Sequence, residues 1–136
     1  MIASLDNVTH DLSPQELAFL QSAFDHARNG DLHSLVEHLD AGVPVNLTNS
    51  AGDTLLILAA YHRNAELVRT LLERGADHAR VNDMGQTALA AAVFRQHEGI
   101  VTDLLRAGAD PDLGPKSAVT IATFFDLPDM LALLRR

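Results

Sequence analysis

The chain has 136 residues, 47% of them hydrophobic and 21% charged, enough apolar material for one domain with a buried core and too much for disorder. It has no cysteine, which removes disulfides, Cys-based zinc sites and thiol nucleophiles and fits an intracellular, cytoplasmic address. Its net charge of -8, from 18 acids against 10 bases, repels phosphate backbones and anionic lipids, so neither nucleic acid nor membrane is expected as a partner.

The N-terminus, Met1 to Asp6, lacks a basic stretch followed by an apolar run, and no apolar segment approaches the roughly 20 residues of a membrane span. Residues 1–13 read as an extension. Ser13-Pro-Gln-Glu16 is a capping box with proline at the first helical position, and it predicts a helix over 14–28. A second helix follows over 31–41. Thr54 is placed to N-cap a helix over 54–62 and Asn64 to N-cap another over 65–74, which Gly75 ends in the left-handed conformation. Leu67, Val68, Leu71 and Leu72 form an apolar stripe at helical spacing on that second helix. Further helices are predicted over 87–95, 98–107, 117–125 and 128–135, with Arg135 and Arg136 suited to the negative end of the last.

These pairs repeat. Leu71-Leu-Glu-Arg-Gly-Ala-Asp77 returns as Leu104-Leu-Arg-Ala-Gly-Ala-Asp110, an offset of 33, and residues 51–79 moved by that offset keep ten identities in 29 positions. A shift of 30 aligns Ser117 with Thr87, Ala122 with Ala92 and Leu134 with Leu104. The chain therefore divides into units of about 14–50, 51–83, 84–113 and 114–136, within a single domain over 14–136. One unit cannot cover its own apolar stripe, so stacked neighbours must do so.

The period and the stretches Gly-Asp-Thr-Leu-Leu-Ile-Leu-Ala-Ala (52–60) and Gly-Gln-Thr-Ala-Leu-Ala-Ala-Ala-Val (85–93), each followed by Gly-Ala-Asp, resemble the ankyrin repeats, with their Thr-Pro-Leu-His signature. The resemblance implies an all-α ankyrin-repeat solenoid of stacked antiparallel helix pairs with divergent terminal caps. The signature's Pro and His are replaced by Leu55 and Ile57, then by Ala88 and Ala90. That histidine usually ties adjacent repeats by hydrogen bonds, so Ile57 and Ala90 are expected to be buried and to join the units by apolar packing.

The resemblance also implies a concave binding face built from the ends of the first helices and the loop tips before them. The helix ends are Arg28 and Asn29, Tyr61 and His62, Phe94 and Arg95, and Phe124 and Phe125; the loop tips are Ser50, Ala51 and Asp53, then Asp83, Met84 and Gln86. Tyr61, Phe94 and Phe124 make an aromatic column in a chain with only six aromatics. Aromatics and Met are enriched in interface cores, so the column reads as a contact strip with His62, Arg95, Asp53, Asp83, Met84 and Gln86 around it. The competing reading is that the rings fold back over the junctions between units. Phe125 is expected in the core or the cap.

Catalytic and metal motifs are absent from the sequence. His33 and His38 fall on different helix faces, His97-Glu98 lacks a second His four residues on, and His62 and His78 read as solvated or capping. The glycines punctuate helices without phosphate-loop spacing. Asp110 and Asp112 flank Pro111 in a turn, without the cleft that glycosidase chemistry needs. The expected function is a non-enzymatic, cofactor-free protein-binding module, monomeric, with a partner that the net charge suggests is basic. A narrower alternative is an inhibitor or immunity protein occluding a cognate enzyme. The alternative of another class is a small histidine-dependent enzyme or metal-binding protein.

Overall fold

A computed structural model of the chain describes residues 12–136. Within them run eight helices, α1 (Pro14–Asn29), α2 (Leu32–Asp40), α3 (Leu55–Tyr61), α4 (Ala65–Glu73), α5 (Ala88–Phe94), α6 (Glu98–Arg106), α7 (Ala118–Phe124) and α8 (Pro128–Leu134), each within three residues of its expected ends. Most of the expected extension over 1–13 lies outside the described residues. The pairing among them is helical throughout except for one isolated antiparallel bridge, Thr48 with Thr54.

Local chemistry explains why such short helices form. Ser13 and Glu16 complete the capping box of α1. The hydroxyls of Thr54, Thr87 and Ser117 accept from the amides of Ile57, Ala90 and Thr120, each satisfying one of the orphan donors of a seven-residue helix. Helices of two turns are unstable alone, so tertiary burial must hold them. In α3 every residue from Leu55 to Ala60 is buried, and in α5 every residue from Ala88 to Val93. A helix apolar on all sides belongs between others. Accordingly, α3 packs between α1 and α5, and α5 between α3 and α7, forming an inner layer of first helices. The outer layer stacks α4 on α6 and α6 on α8 through one apolar stripe each: Leu67, Val68 and Leu71 on α4, and Ile100, Val101 and Leu104 on α6.

The repeated Gly-Ala-Asp has a physical reason for each residue. Gly75 and Gly108 adopt φ of +84° and +98°, a turn that a Cβ would strain. Ala76 and Ala109 are buried and join the apolar core. Asp77 and Asp110 accept from the amides of Ala79 and Asp112 at 2.9 Å, each closing an Asx turn that starts the loop to the next pair.

Asn64 departs from its expected role. It makes no side-chain cap to α4; its amide instead donates to the carbonyls of Ala27 (2.9 Å) and Arg28 (3.3 Å), tying the second helix pair to the first. The residue in front of it is strained in a way that the repeat pattern conceals. Gly30, Arg63, Gln96 and Asp126 occupy the same turn within successive helix pairs, and all four have positive φ, between +51° and +74°. Only the first is glycine.

Ile57 and Ala90 are buried, as expected for residues replacing the signature histidine. Polar ties between helix pairs are present as well, moved to the loops. Asn82 Nδ2 donates to Asp53 Oδ1 at 2.8 Å, Asp77 N to Asn46 Oδ1 at 2.8 Å, and the amides of Asp83 and Lys116 to the carbonyls of Ala51 and Gly85 at 3.0 Å. On the outer layer, Arg74 meets Asp40 at 2.8 Å and Arg69 meets Asp103 at 3.4 Å, exposed pairs of small energetic weight.

Candidate binding groove

Loops entering α3, α5 and α7 project beyond the inner helices, so loop tips and helix ends enclose a groove of about 750 Å³. Its floor is apolar, formed by Ile57, Leu58, Ala91 and Ile121, inner-layer side chains whose other faces complete the core. Asn49 and Asn82, equivalent residues 33 apart, hold two of the loops. The Asn49 carboxamide oxygen accepts from Ala51 N and Asp53 N, and that of Asn82 from Met84 N and Gln86 N. Neither asparagine belongs to the Thr-Pro-Leu-His signature; their 33-residue spacing is the feature of the sequence that marks them.

The groove brings together Tyr61, His62, Phe94, Phe124, Asp53, Met84 and Gln86 from the expected set. Arg95 stands beside it with its guanidinium carbon 5.2 Å from the centroid of the Tyr61 ring, a cation–π distance. Asp83 does not line the groove. Its carboxylate packs over Gly52, where an added Cβ would approach Asp83 Oδ1 to 2.8 Å, and its backbone amide is bonded to Ala51, so it supports the loop.

The aromatic column is real but differently composed. Tyr61 and Phe94 stack with centroids 6.2 Å apart and planes 8° apart. Phe94 then meets Phe125, edge to face at 5.4 Å, and Phe125 meets Phe124 at 4.9 Å. Phe125 was expected in the core or cap; it is 47% exposed because the C-cap turn of α7 ends its helix one residue early and turns the ring towards Phe94. Phe124 is 79% exposed and reaches the column only through Phe125. Tyr61 and Phe94, at 38% and 39%, are partly covered and partly open, combining the contact-strip and folded-back readings.

Charge in the groove runs against the charge of the chain. Arg28 and Lys116 line it and Arg95 adjoins it; Asp53 is the one carboxylate in its lining, and that group is held by Asn82. The His62 imidazole has its pKa lowered, first by burial and then by the positive charges of Arg28 and Arg95. Its acidic counterweights sit on other faces, such as Glu66 and Glu73 on α4 and Glu98 and Asp103 on α6.

The remaining described histidines have structural work. His97 Nδ1 accepts from Ile100 N and caps α6; His33 pairs with Glu37 at 2.6 Å; His78 Nε2 lies 3.1 Å from the Ala107 carbonyl. His38 is buried, stacked on Phe19 with Nε2 2.8 Å from Ser22 Oγ, and His26 packs edge-on against it. Among the described residues no group of three or more His, Cys, Asp or Glu is arranged to hold a metal ion, and no helix is long and apolar enough to cross a membrane.

A protein of Pseudomonas aeruginosa named as an ankyrin repeat protein is 46% identical to the chain over 59 residues, a stretch that makes up 43% of this chain and 33% of that protein. Proteins of Nomascus leucogenys and Gorilla gorilla gorilla, named for ankyrin repeats, a SAM domain and a basic leucine zipper domain, are 50% identical over 48 residues, 35% of this chain and 10% of their own length. The matched stretch thus spans a third or less of these relatives. The family profile described as ankyrin repeats, in three copies, matches residues 23–114, which run from within α1 through α6. With its 33-residue period, its two layers of antiparallel helix pairs and that match over more than half of its length, the chain belongs to the ankyrin-repeat family.

Proposed function

We propose that the chain is a non-enzymatic module that binds a partner protein in the groove, with Tyr61, Phe94 and Phe125 as the apolar anchor and His62, Arg95, Met84 and Gln86 around it. Ankyrin repeats are generally protein-interaction modules, and the family is generally non-enzymatic. The observation that carries the reading is the contiguous run of half-open rings over an apolar floor, in a groove framed by two loops that asparagine side chains hold rigid. A few desolvated aromatics usually supply most of an interface's affinity, and a pre-formed face loses little entropy on binding.

The net charge on its own favours a basic partner, and an acidic surface occluding a basic enzyme would suit the inhibitor alternative. The cations of the groove weigh against both, because a bound segment meets the charges within about 8 Å at physiological ionic strength and not the total. The histidine-dependent alternative gains no support from His97, His38 and His26, whose rings are engaged in a helix cap and in packing.

A photo-crosslinking residue placed at Phe94 tests the reading, with the same residue at Glu73 on α4 as the control. A partner protein captured from Phe94 and not from Glu73 is the expected result. Capture from Glu73 alone would move the binding face to the outer layer.

A further inference from the structure

The helix pairs display equivalent positions in columns, and these columns carry a gradient of charge across the groove. At the loop position before each inner helix stand Asp53, Gln86 and Lys116, a sequence from anion through neutral to cation. Asp53 at the near end is engaged by Asn82 Nδ2 at 2.8 Å. Lys116, the only lysine of the chain, makes no ion pair with any described residue. Arg95 likewise meets no carboxylate among the described residues and is steadied only by the Tyr61 ring. Arg28, at the opposite end, is occupied by Asp25 at 3.0 Å. The open cations therefore belong to the third and fourth helix pairs, Arg95 at the end of α5 over the Tyr61 ring and Lys116 in the loop entering α7.

We propose that the groove recognises a segment of a partner protein in which an apolar or aromatic side chain is flanked by Asp or Glu, the apolar group seated on Phe94 and Phe125 and the carboxylates on Arg95 and Lys116. This deepens the groove reading of the preceding section and rests on it. A guanidinium stacked on a ring is partly pre-organised, so less side-chain freedom is lost when it meets a carboxylate. The gradient also biases the loop side of the groove: acids of the segment are favoured beside Lys116, in the loop entering α7, and repelled by Asp53, in the loop entering α3. His62, whose proton affinity is held down by burial and by Arg28 and Arg95, gains charge in acid and adds to the attraction beside Arg95.

The test uses the full chain immobilised against a displayed library of random 12-residue peptides, followed by fluorescence-anisotropy titration of enriched sequences made as fluorescein-labelled peptides in two forms, acidic and with Asp and Glu changed to Asn and Gln. Enriched peptides should pair Asp or Glu with Phe, Leu, Ile or Tyr, and the amide forms should bind about fivefold more weakly, the upper range for one rim ion pair. Lys116→Gln and Arg95→Gln should each shrink that acid-to-amide ratio towards one. Enrichment of Lys- or Arg-rich peptides, or equal binding of both forms together with loss of binding in Phe94→Ala, overturns the charge assignment and leaves the groove standing. Binding indifferent to Phe94→Ala, or no enrichment over the bare support, removes the groove reading and this inference with it. Circular dichroism of each variant separates unfolding from these outcomes.

Discussion

Ile57 is where the fold and the groove share one side chain, which makes Ile57→Ala the most informative perturbation. The residue takes the place of the signature histidine, is only 3% exposed, and lines the groove floor from within α3, between α1 and α5. The substitution removes three carbons, and at about 0.8 kcal/mol for each buried methylene-sized group the transfer loss is roughly 2.4 kcal/mol. A cavity term is added in a rigid site, but a floor residue borders an open groove instead of a closed core, so the total should stay near about 2 to 3 kcal/mol, in the lower half of the usual range. For a domain of this size that corresponds to a fall in Tm of about 8 to 12 °C. Urea denaturation followed by circular dichroism is the direct assay, with an unchanged m value as evidence that the same surface unfolds. Ala90, fully buried at the equivalent position of the next pair, supplies the opposite test: Ala90→Ile should destabilise by about 1 to 3 kcal/mol through overpacking. A loss below about 0.5 kcal/mol for both variants would mean that neither side chain lies between the inner helices, and the register proposed for the repeats would be wrong.

Phe94→Ala should weaken the partner complex by at least about 1 to 2 kcal/mol in a calorimetric titration while lowering Tm less than Ile57→Ala does, because the ring is more than a third exposed; an unaltered affinity refutes the anchor role. Gln96→Gly should stabilise the fold by about 0.5 to 1 kcal/mol, the left-handed strain at φ +55° outweighing the added chain entropy, whereas Gly30→Ala should destabilise it, since the new Cβ would stand 2.7 Å from Asn64 Oδ1; opposite signs in thermal melts would show that the turn is unstrained. Asn82→Ala should cost about 1 to 2 kcal/mol and loosen the loop before α5, read as faster amide exchange at Met84 and Gln86. The folded pKa of His62 lies below its unfolded value of 6.5, so its stability contribution is complete above that value and is lost as pH falls towards the folded pKa; His62→Gln should flatten the stability profile just below pH 6.5, and an unchanged slope counts against the burial and cation effects named above.

What the sequence determined by itself is what repeats locally. Helix ends follow from Ser13, Thr54, Thr87 and Ser117, whose hydroxyls reach amides three residues on, and from Gly75 and Gly108, whose backbone freedom needs no neighbour. The 33-residue period then makes stacking the one way to bury stripes such as Leu67, Val68 and Leu71, so the architecture was legible before any coordinates. The residues decided by tertiary structure are those whose partners lie in another helix pair. Asn64 has the chemistry of a cap, yet its amide finds the Ala27 and Arg28 carbonyls; Asp83 has the chemistry of a rim charge, yet it covers Gly52; Phe125 has the hydropathy of a core residue, yet one turn of backbone after α7 carries it onto Phe94. Net charge is likewise a sum over the chain, whereas a bound ligand meets only what the stacking brings within a Debye length. Propensity and periodicity are properties of neighbours along the chain, and they fix the elements; the sign and shape of the groove depend on distances between pairs 30 or more residues apart, which only packing sets.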